Sequence, residues 1–353
     1  MTDVLDRCEA WAAAGEAVAL ATVTAVRRSA PRPPGAKMAV SASSDVAGMV
    51  SGGCVEGAVV QEALDLLEGG EPRLLHFGIA DDEAWEVGLP CGGEIDVYVD
   101  RYRPGSEFAE LARTGGRAAE VTAVEGDQVG RKLLVREDLT TEGDLDAPDA
   151  VAWAEELMWA ERSERRGEFF VDAIFPPPRL MIFGAVDYAA ALCRLARVAG
   201  WRPFVIDPRG FFARSDRFPD AERVVTAWPE EGIAELGGID RATYVAVLTH
   251  DPKLDDAAVG MALRGEPRYI GAMGSSRANS ARRERLTEAG FPESDIARIA
   301  MPIGLDLGAL TPEETALSIM AEISAIRNGR EGGRLVNAGE RRIHEVVGEV
   351  PSA

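Results

Sequence analysis

Two glycine turns hold the residues of this 353-residue chain best suited to chemistry. The first is Ser51-Gly52-Gly53-Cys54-Val55-Glu56-Gly57 and the second is Leu89-Pro90-Cys91-Gly92-Gly93. Cys54 stands where a predicted helix begins, and the positive end of the helix dipole there favours thiolate. Cys91 has a similarly flexible setting. A thiolate is a nucleophile and a soft metal ligand, so Cys54 and Cys91 are candidate catalytic residues and candidate metal contacts. Glu56 is a candidate proton-transfer partner. Neither turn has the paired-cysteine spacing of a structural zinc site. A buried structural role stays open for each cysteine. Cys8 and Cys193 fall on predicted helix faces instead.

A third glycine turn, Gly184-Ala185-Val186-Asp187-Tyr188-Ala189, follows the strand Leu180 to Phe183, and Asp207 closes the next strand. A dinucleotide fingerprint wants glycine at the third position and an acid about 20 residues on. Gly184, the small Ala189 and Asp207 fit. Val186 replaces the glycine that lets a pyrophosphate approach, and Asp187 adds negative charge at the helix start, so NAD or another nucleotide is disfavoured. His250 and Asp251 follow the apolar run Tyr244 to Leu248, at the strand end where open α/β sheets bind ligands. Gly274, Ser275 and Arg277 begin another helix at that edge, where they suit an anion or act only as a cap.

These turns need elements to position them. Residues 3–14 read as an opening helix with Cys8 on its apolar face. Val18 to Val26 reads as a buried strand, and Ser29 to Gly35 as a proline loop. Lys37 to Ser41, Val46 to Val50, Leu74 to Phe77 and Glu94 to Val99 read as strands, with a helix over Val55 to Leu67. Residues 116–136 predict two strands around Gly126-Asp127, residues 142–149 an exposed acidic loop, and Phe169 to Phe175 one more strand. Beyond Pro176-Pro177-Pro178 the pattern becomes strand, glycine turn, helix, strand, with helices near 187–199, 254–263, 277–289 and 312–327. That alternation implies a parallel sheet covered on both faces. The fold class is therefore α/β: a mixed α/β domain over 1–175, a Rossmann-like parallel-sheet domain over 176–330, and a partly ordered polar tail over 331–353.

Composition narrows the partners. Hydrophobic residues make up 46% and charged residues 27%, which is ordinary globular chemistry. A formal net charge of −21 disfavours nucleic acid and anionic membrane. No run approaches the roughly 20 apolar residues of a membrane span. Asp3, Asp6 and Glu9 surround a single Arg7 at the N-terminus, the wrong pattern for a secretory signal. Four scattered cysteines fit a reducing cytoplasm. Arg27, Arg28, Arg32 and Lys37 around the proline loop form a candidate basic patch.

Five segments together resemble the XdhC/CoxI family of accessory proteins of xanthine dehydrogenase and related molybdenum hydroxylases. They are Ser51–Gly57, Leu89–Gly93, Phe169–Pro178 (F-F-V-D-A-I-F-P-P-P), Tyr269–Arg277 (Y-I-G-A-M-G-S-S-R) and Pro302–Ala316 (P-I-G-L-D-L-G-A-L-T-P-E-E-T-A). The likeness runs from about Val4 to Arg327. It implies an accessory chaperone that binds molybdenum cofactor (molybdopterin), assists exchange of an oxo ligand for sulfur, and delivers it to an apo molybdenum hydroxylase. A cysteine desulfurase is an implied further partner and a homodimer the default assembly. Under this reading Cys54 and Cys91 hold the soft metal centre. The cofactor-binding candidates are Gly52, Gly53, Gly92, Gly93, Gly184, Asp207, His250, Asp251, Gly274, Ser275 and Arg277. The family usually has G-A-G-H where this chain has Gly184-Ala185-Val186-Asp187. A stand-alone nucleotide-dependent oxidoreductase or sulfurtransferase using Cys54 and the Rossmann domain is the alternative, and a non-catalytic scaffold a third.

Overall fold

A computed structural model describes residues 2–28, 31–78 and 93–337. The described chain divides into two compact units, with the boundary between Pro176 and Pro177.

The first unit contains two antiparallel sheets. One has strands β1 (Val18–Arg27), β2 (Lys37–Ser41), β3 (Val46–Gly48), β4 (Arg73–Phe77) and β5 (Glu94–Arg101), in the order β3-β2-β1-β5-β4. Helix α1 (Thr2–Ala13) packs beside β2, and α2 (Glu56–Leu67) covers β1 and β5. Strand alternation assigns the faces. Ile95, Val97 and Val99 join Val55, Val59, Ala63 and Leu66 in an apolar layer beneath α2. Asp96, Tyr98 and Asp100 face the other way.

The second sheet follows α3 (Glu107–Thr114). Its strands β6 (Ala118–Ala123), β7 (Lys132–Arg136), β8 (Thr141–Gly143), β9 (Glu164–Arg166) and β10 (Phe169–Ile174) run in the order β8-β7-β6-β10-β9. Helix α4 (Ala150–Ala160) covers one face, burying Ala154, Leu157 and Met158 on Ala119, Val121, Val135 and Val171. The stretch predicted as an exposed loop over 142–149 differs. It contributes the end of edge strand β8, and Leu145 is buried against α4 because an apolar side chain there completes that core.

The second unit is a six-stranded parallel sheet with strands β11 (Arg179–Phe183), β12 (Arg202–Ile206), β13 (Arg223–Val225), β14 (Thr243–Val247), β15 (Tyr269–Ala272) and β16 (Ile299–Ala300). The order β13-β12-β11-β14-β15-β16 is the doubly wound Rossmann arrangement, with its switch point between β11 and β14. Helices α5 (Asp187–Val198) and α10 (Pro312–Arg327) bury Leu192, Ala196, Ile319 and Ile323 on one face. Helices α6 (Pro229–Glu235), α7 (Pro252–Arg264), α8 (Ser276–Glu288) and α9 (Glu293–Ile296) cover the other face, around Ile233, Val259, Leu263, Leu286 and Ile296. The alternation of strand and helix in the sequence thus yields the predicted α/β class: a mixed first unit and a parallel-sheet second unit.

Candidate functional site

The Ser51–Val55 turn is built around a carboxylate. Gly52 and Gly53 adopt φ of +104° and +118°, a region that favours glycine. This fold-back aims successive amides at the side chain of Glu56. Its Oε1 accepts from the amides of Val50 (3.2 Å), Ser51 (2.8 Å) and Gly52 (2.9 Å). Its Oε2 accepts from the amides of Gly53 (2.8 Å) and Val55 (3.2 Å) and from the Ser51 hydroxyl (2.6 Å). The Ser51 Oγ in turn accepts from the Cys54 amide at 3.1 Å. Burial alone would raise the Glu56 carboxyl, but the Ser51 hydroxyl and the loop amides override it and hold it down to about 2.

These bonds organise the turn, and a carboxylate held so low is a poor base at neutral pH, which weighs against the proton-transfer role expected of Glu56. The amides of Gly52 and Gly53 donate to Glu56, which weighs against the cofactor-binding role expected of them.

Cys54 is an exposed free thiol at the tip of this turn. Cys8 and Cys193 are buried, and burial pushes both thiols up to about 12, which makes them structural. Cys91 and Gly92 lie outside the described residues. Gly93 is buried just before β5.

The proposed basic patch is also corrected. Lys37 is buried in an ion pair with Asp172, Arg27 pairs with Asp96 at 2.9 Å, and Arg28 faces Glu94 at 3.8 Å. The proline loop therefore does not present four free cations.

The turn has neighbours that the sequence reading missed. Arg101 donates to the Leu66 and Leu67 carbonyls, fixing the C-terminal end of α2 beside the end of β5. The N-terminal end of α2, with Cys54, consequently falls where β5 begins and where β1 and β4 end. Pro31 lies against Gly52 there. At that end His76 Nδ1 meets Asp96 Oδ1 at 2.7 Å, and Asp96 also accepts from Arg27 and, at 2.8 Å, from Arg165. The alternation Glu94-Ile95-Asp96-Val97-Tyr98-Val99-Asp100 carried the signal, because it places acids on the inner face of a central strand.

In the second unit, Gly184, Asp207, His250 and Asp251 gather at the carboxyl ends of β11, β12 and β14. A cleft of about 550 Å³ there is lined by Val186, Tyr188, Arg209, Thr249, His250 and Asp251. Gly184 has φ +113°, and a Cβ on it would stand 2.3 Å from Thr249 Cγ2, so the close approach of two loops requires glycine. Asp207 is fully buried. Its Oδ2 accepts from the Ala185 amide (2.7 Å) and the Arg209 guanidinium (2.6 Å), and its Oδ1 from the Arg209 amide (2.9 Å). Arg209 and these amides hold the carboxyl below the usual range against the opposing effect of burial. Both oxygens are thus engaged within the chain, so any cofactor contact by Asp207 would have to displace one of these partners.

His250 and Asp251 are exposed at the cleft, and Asp251 caps α7 by accepting from the Lys253 amide at 3.0 Å. Ser275 caps α8 by accepting from the Ala278 amide, the blander of its two predicted roles, and Arg277 is exposed. Behind these loops runs an unforeseen network. Thr249 donates to buried Asp255, Asp255 pairs with buried Arg282 at 2.8 Å, and Arg282 donates to Asn279 and to the Met273 carbonyl. Asn279 Nδ2 donates to the Gly274 carbonyl at 3.0 Å. The network ties the Thr249–Asp251 loop to the turn carrying Gly274 and Ser275.

Known proteins are similar to this chain in sequence and in fold. Residues 11–78 match the model of the XdhC and CoxI family, and residues 180–323 match that of the XdhC Rossmann domain. A probable xanthine dehydrogenase subunit of Bacillus subtilis (strain 168) is 29% identical over 320 residues, covering 88% of this chain and 94% of that protein. The molybdenum cofactor insertion chaperone PaoD of Escherichia coli (strain K12) is 27% identical over 318 residues, covering 90% and 86%. A solved structure described as a xanthine dehydrogenase from Bacillus halodurans matches with a TM-score of 0.67 at 24% identity, covering 94% of this chain and 97% of that one. At that identity the likeness bears on the fold.

Proposed function

The chain belongs to the XdhC and CoxI family, and on that premise we propose that it is an accessory chaperone whose cargo is molybdenum cofactor. It assists sulfuration of the cargo and its insertion into a xanthine dehydrogenase-type molybdenum hydroxylase, with a cysteine desulfurase as the sulfur source. The observation that carries this reading is the exposed Cys54 thiol on a turn whose backbone amides from Val50 to Val55 are already paired. A thiolate is a soft donor matched to a molybdenum–dithiolene centre. The Glu56 carboxylate keeps the turn in one shape, so the thiol is presented without an ordering cost on binding.

The rival reading is a nucleotide-dependent enzyme working at the switch-point cleft. The cleft itself favours it, since ligands of open α/β sheets bind there. Asp207 counts against a dinucleotide, because a ribose would have to displace Arg209.

Anaerobic titration of the purified protein with molybdenum cofactor separates the two, with Cys54→Ala, Cys91→Ala, NAD and ATP run in parallel. Stoichiometric cofactor binding that weakens in a cysteine variant, without dinucleotide binding, supports the chaperone. Tight dinucleotide binding with no binding of the cofactor overturns it.

A further inference from the structure

The two sheets of the first unit meet through a polar layer. Facing sheets normally bury apolar side chains, and each buried polar group costs free energy unless it is paired. Here the inner face of β5 presents Tyr98 and Asp100. Lys37 on β2 forms a buried ion pair with Asp172 on β10, and Thr22 also accepts from Lys37 at 3.3 Å. Lys132 on β7 lies 3.0 Å from Glu120 and 3.3 Å from Asp100. These groups border a cavity of about 490 Å³, whose apolar wall includes Leu20, Phe108, Leu134 and Phe170. That volume is in the range of small-molecule sites.

The layer is unfinished in two places. Tyr98 is 4% exposed, and its hydroxyl makes no well-formed hydrogen bond among the described residues, with only the Gly130 backbone nearby. Asp100 is 8% exposed; its Oδ1 accepts from the Arg101 amide at 2.7 Å, while Oδ2 has no hydrogen bond among the described residues and only the longer contact with Lys132. Charge is also unbalanced. Lys37 offsets Asp172, but Lys132 faces two carboxylates, so one negative charge stays uncompensated inside. Nearby cations do not supply it: Arg101 is turned to the end of α2, and Arg103 is exposed at the rim. Burial, reinforced by Asp100, raises the Tyr98 phenol well above its ordinary range, so it remains a neutral donor and acceptor. Burial opposes the charge on Lys132, yet Glu120 and Asp100 raise its pKa, so it remains a cation and does not open a second vacancy.

We propose that this inter-sheet cavity binds a small organic monocation, a primary ammonium on a short apolar body. The ammonium donates to Asp100 Oδ2 and the Tyr98 hydroxyl and restores neutrality, while the body lies on Leu20, Phe108 and Phe170. An anionic cargo would be repelled here, so the site is separate from the one proposed around Cys54 and does not depend on that reading.

Calorimetric titration and thermal unfolding of the full chain with n-pentylamine test this, with n-pentanol, pentanoate and potassium chloride at matched ionic strength as controls. The amine alone should bind and should raise the melting temperature of the first unit by roughly 5–10 °C at a hundredfold excess over its Kd. Asp100→Asn should weaken binding at least about tenfold and Tyr98→Phe by roughly fivefold, and Tyr98→Phe should not lower the ligand-free melting temperature, because it removes a buried hydroxyl without a well-formed hydrogen bond. An equal shift with n-pentanol would mean that the cavity is merely apolar. An equal shift with potassium chloride would mean a counter-ion only. Either result overturns the proposal, as does unchanged amine affinity in Tyr98→Phe, a variant that keeps every charge and is the check if Asp100→Asn fails to fold.

Discussion

Replacing Glu56 with glutamine tests whether the cysteine turn depends on a carboxylate. The carboxyl falls from 4.5 to about 2 on folding. At about 1.36 kcal/mol per pKa unit that corresponds to roughly 3.4 kcal/mol. Glu56 is only half-buried, so solvent screening reduces this by about half, to ~1.7 kcal/mol. Glutamine keeps one acceptor oxygen but turns an NH₂ group toward amides that need an acceptor. Because the folded pKa is depressed, the stabilisation is complete above the unfolded value near 4.5 and disappears as pH falls toward 2. The assay is urea unfolding of wild type and Glu56→Gln between pH 2.5 and 7. With slopes of about 1–3 kcal/mol/M, the midpoint at pH 7 should drop by roughly 0.6–1.7 M. The gap should hold from pH 7 to 5 and narrow below 4.5. A loss under about 0.5 kcal/mol at pH 7, or a gap of the same size at pH 2.5, would refute the reasoning.

Two further outcomes follow from burial. Iodoacetamide under native conditions should label Cys54 within minutes, while Cys8 and Cys193, with thiols raised to about 12, should react only after unfolding, as read by peptide mapping. Arg282→Met should cost about 3–5 kcal/mol in denaturant unfolding because it strands buried Asp255. Adding Asp255→Leu should recover most of that loss, and a double variant no more stable than Arg282→Met would show that the pair is not the source.

The second unit was legible because its pattern is locally consistent: each apolar strand ends at a glycine or a polar turn, and helices α5 and α7 carry an apolar stripe. The first unit was harder. Helix α4 is apolar around most of its surface, so Ala150–Ala160 shows little amphipathic contrast. Strands β8 and β9 have three residues each, too short for alternation to register. In the candidate site, residue type pointed to Cys54 and Asp207, yet the partners of Glu56 and Asp207 were hidden. They depend on backbone amides aimed by glycines at positive φ, and composition does not disclose where an amide points. The Thr249–Asp255–Arg282–Asn279 network was likewise invisible, since polar residues on helices read as solvent-facing until packing buries them.

The turns at Ser51–Gly57 and Gly184–Ala189 nevertheless obey one rule. In each, a carboxylate of the chain accepts from backbone amides that would otherwise invite an external anion: Glu56 for Val50–Gly53, and Asp207 for Ala185. A turn whose amides are already paired is rigid but has few backbone donors left to offer. What each turn can still offer is a side chain at its tip, Cys54 in one and Val186 with Asp187 in the other. On the proposed function, recognition by the first runs through a thiol rather than through a phosphate cradle. Removing Glu56 should then have opposite effects on the two kinds of ligand, loosening the presentation of Cys54 while freeing amides for an anion. A cargo grasped through sulfur would bind more weakly to Glu56→Gln, and inorganic phosphate would bind more tightly.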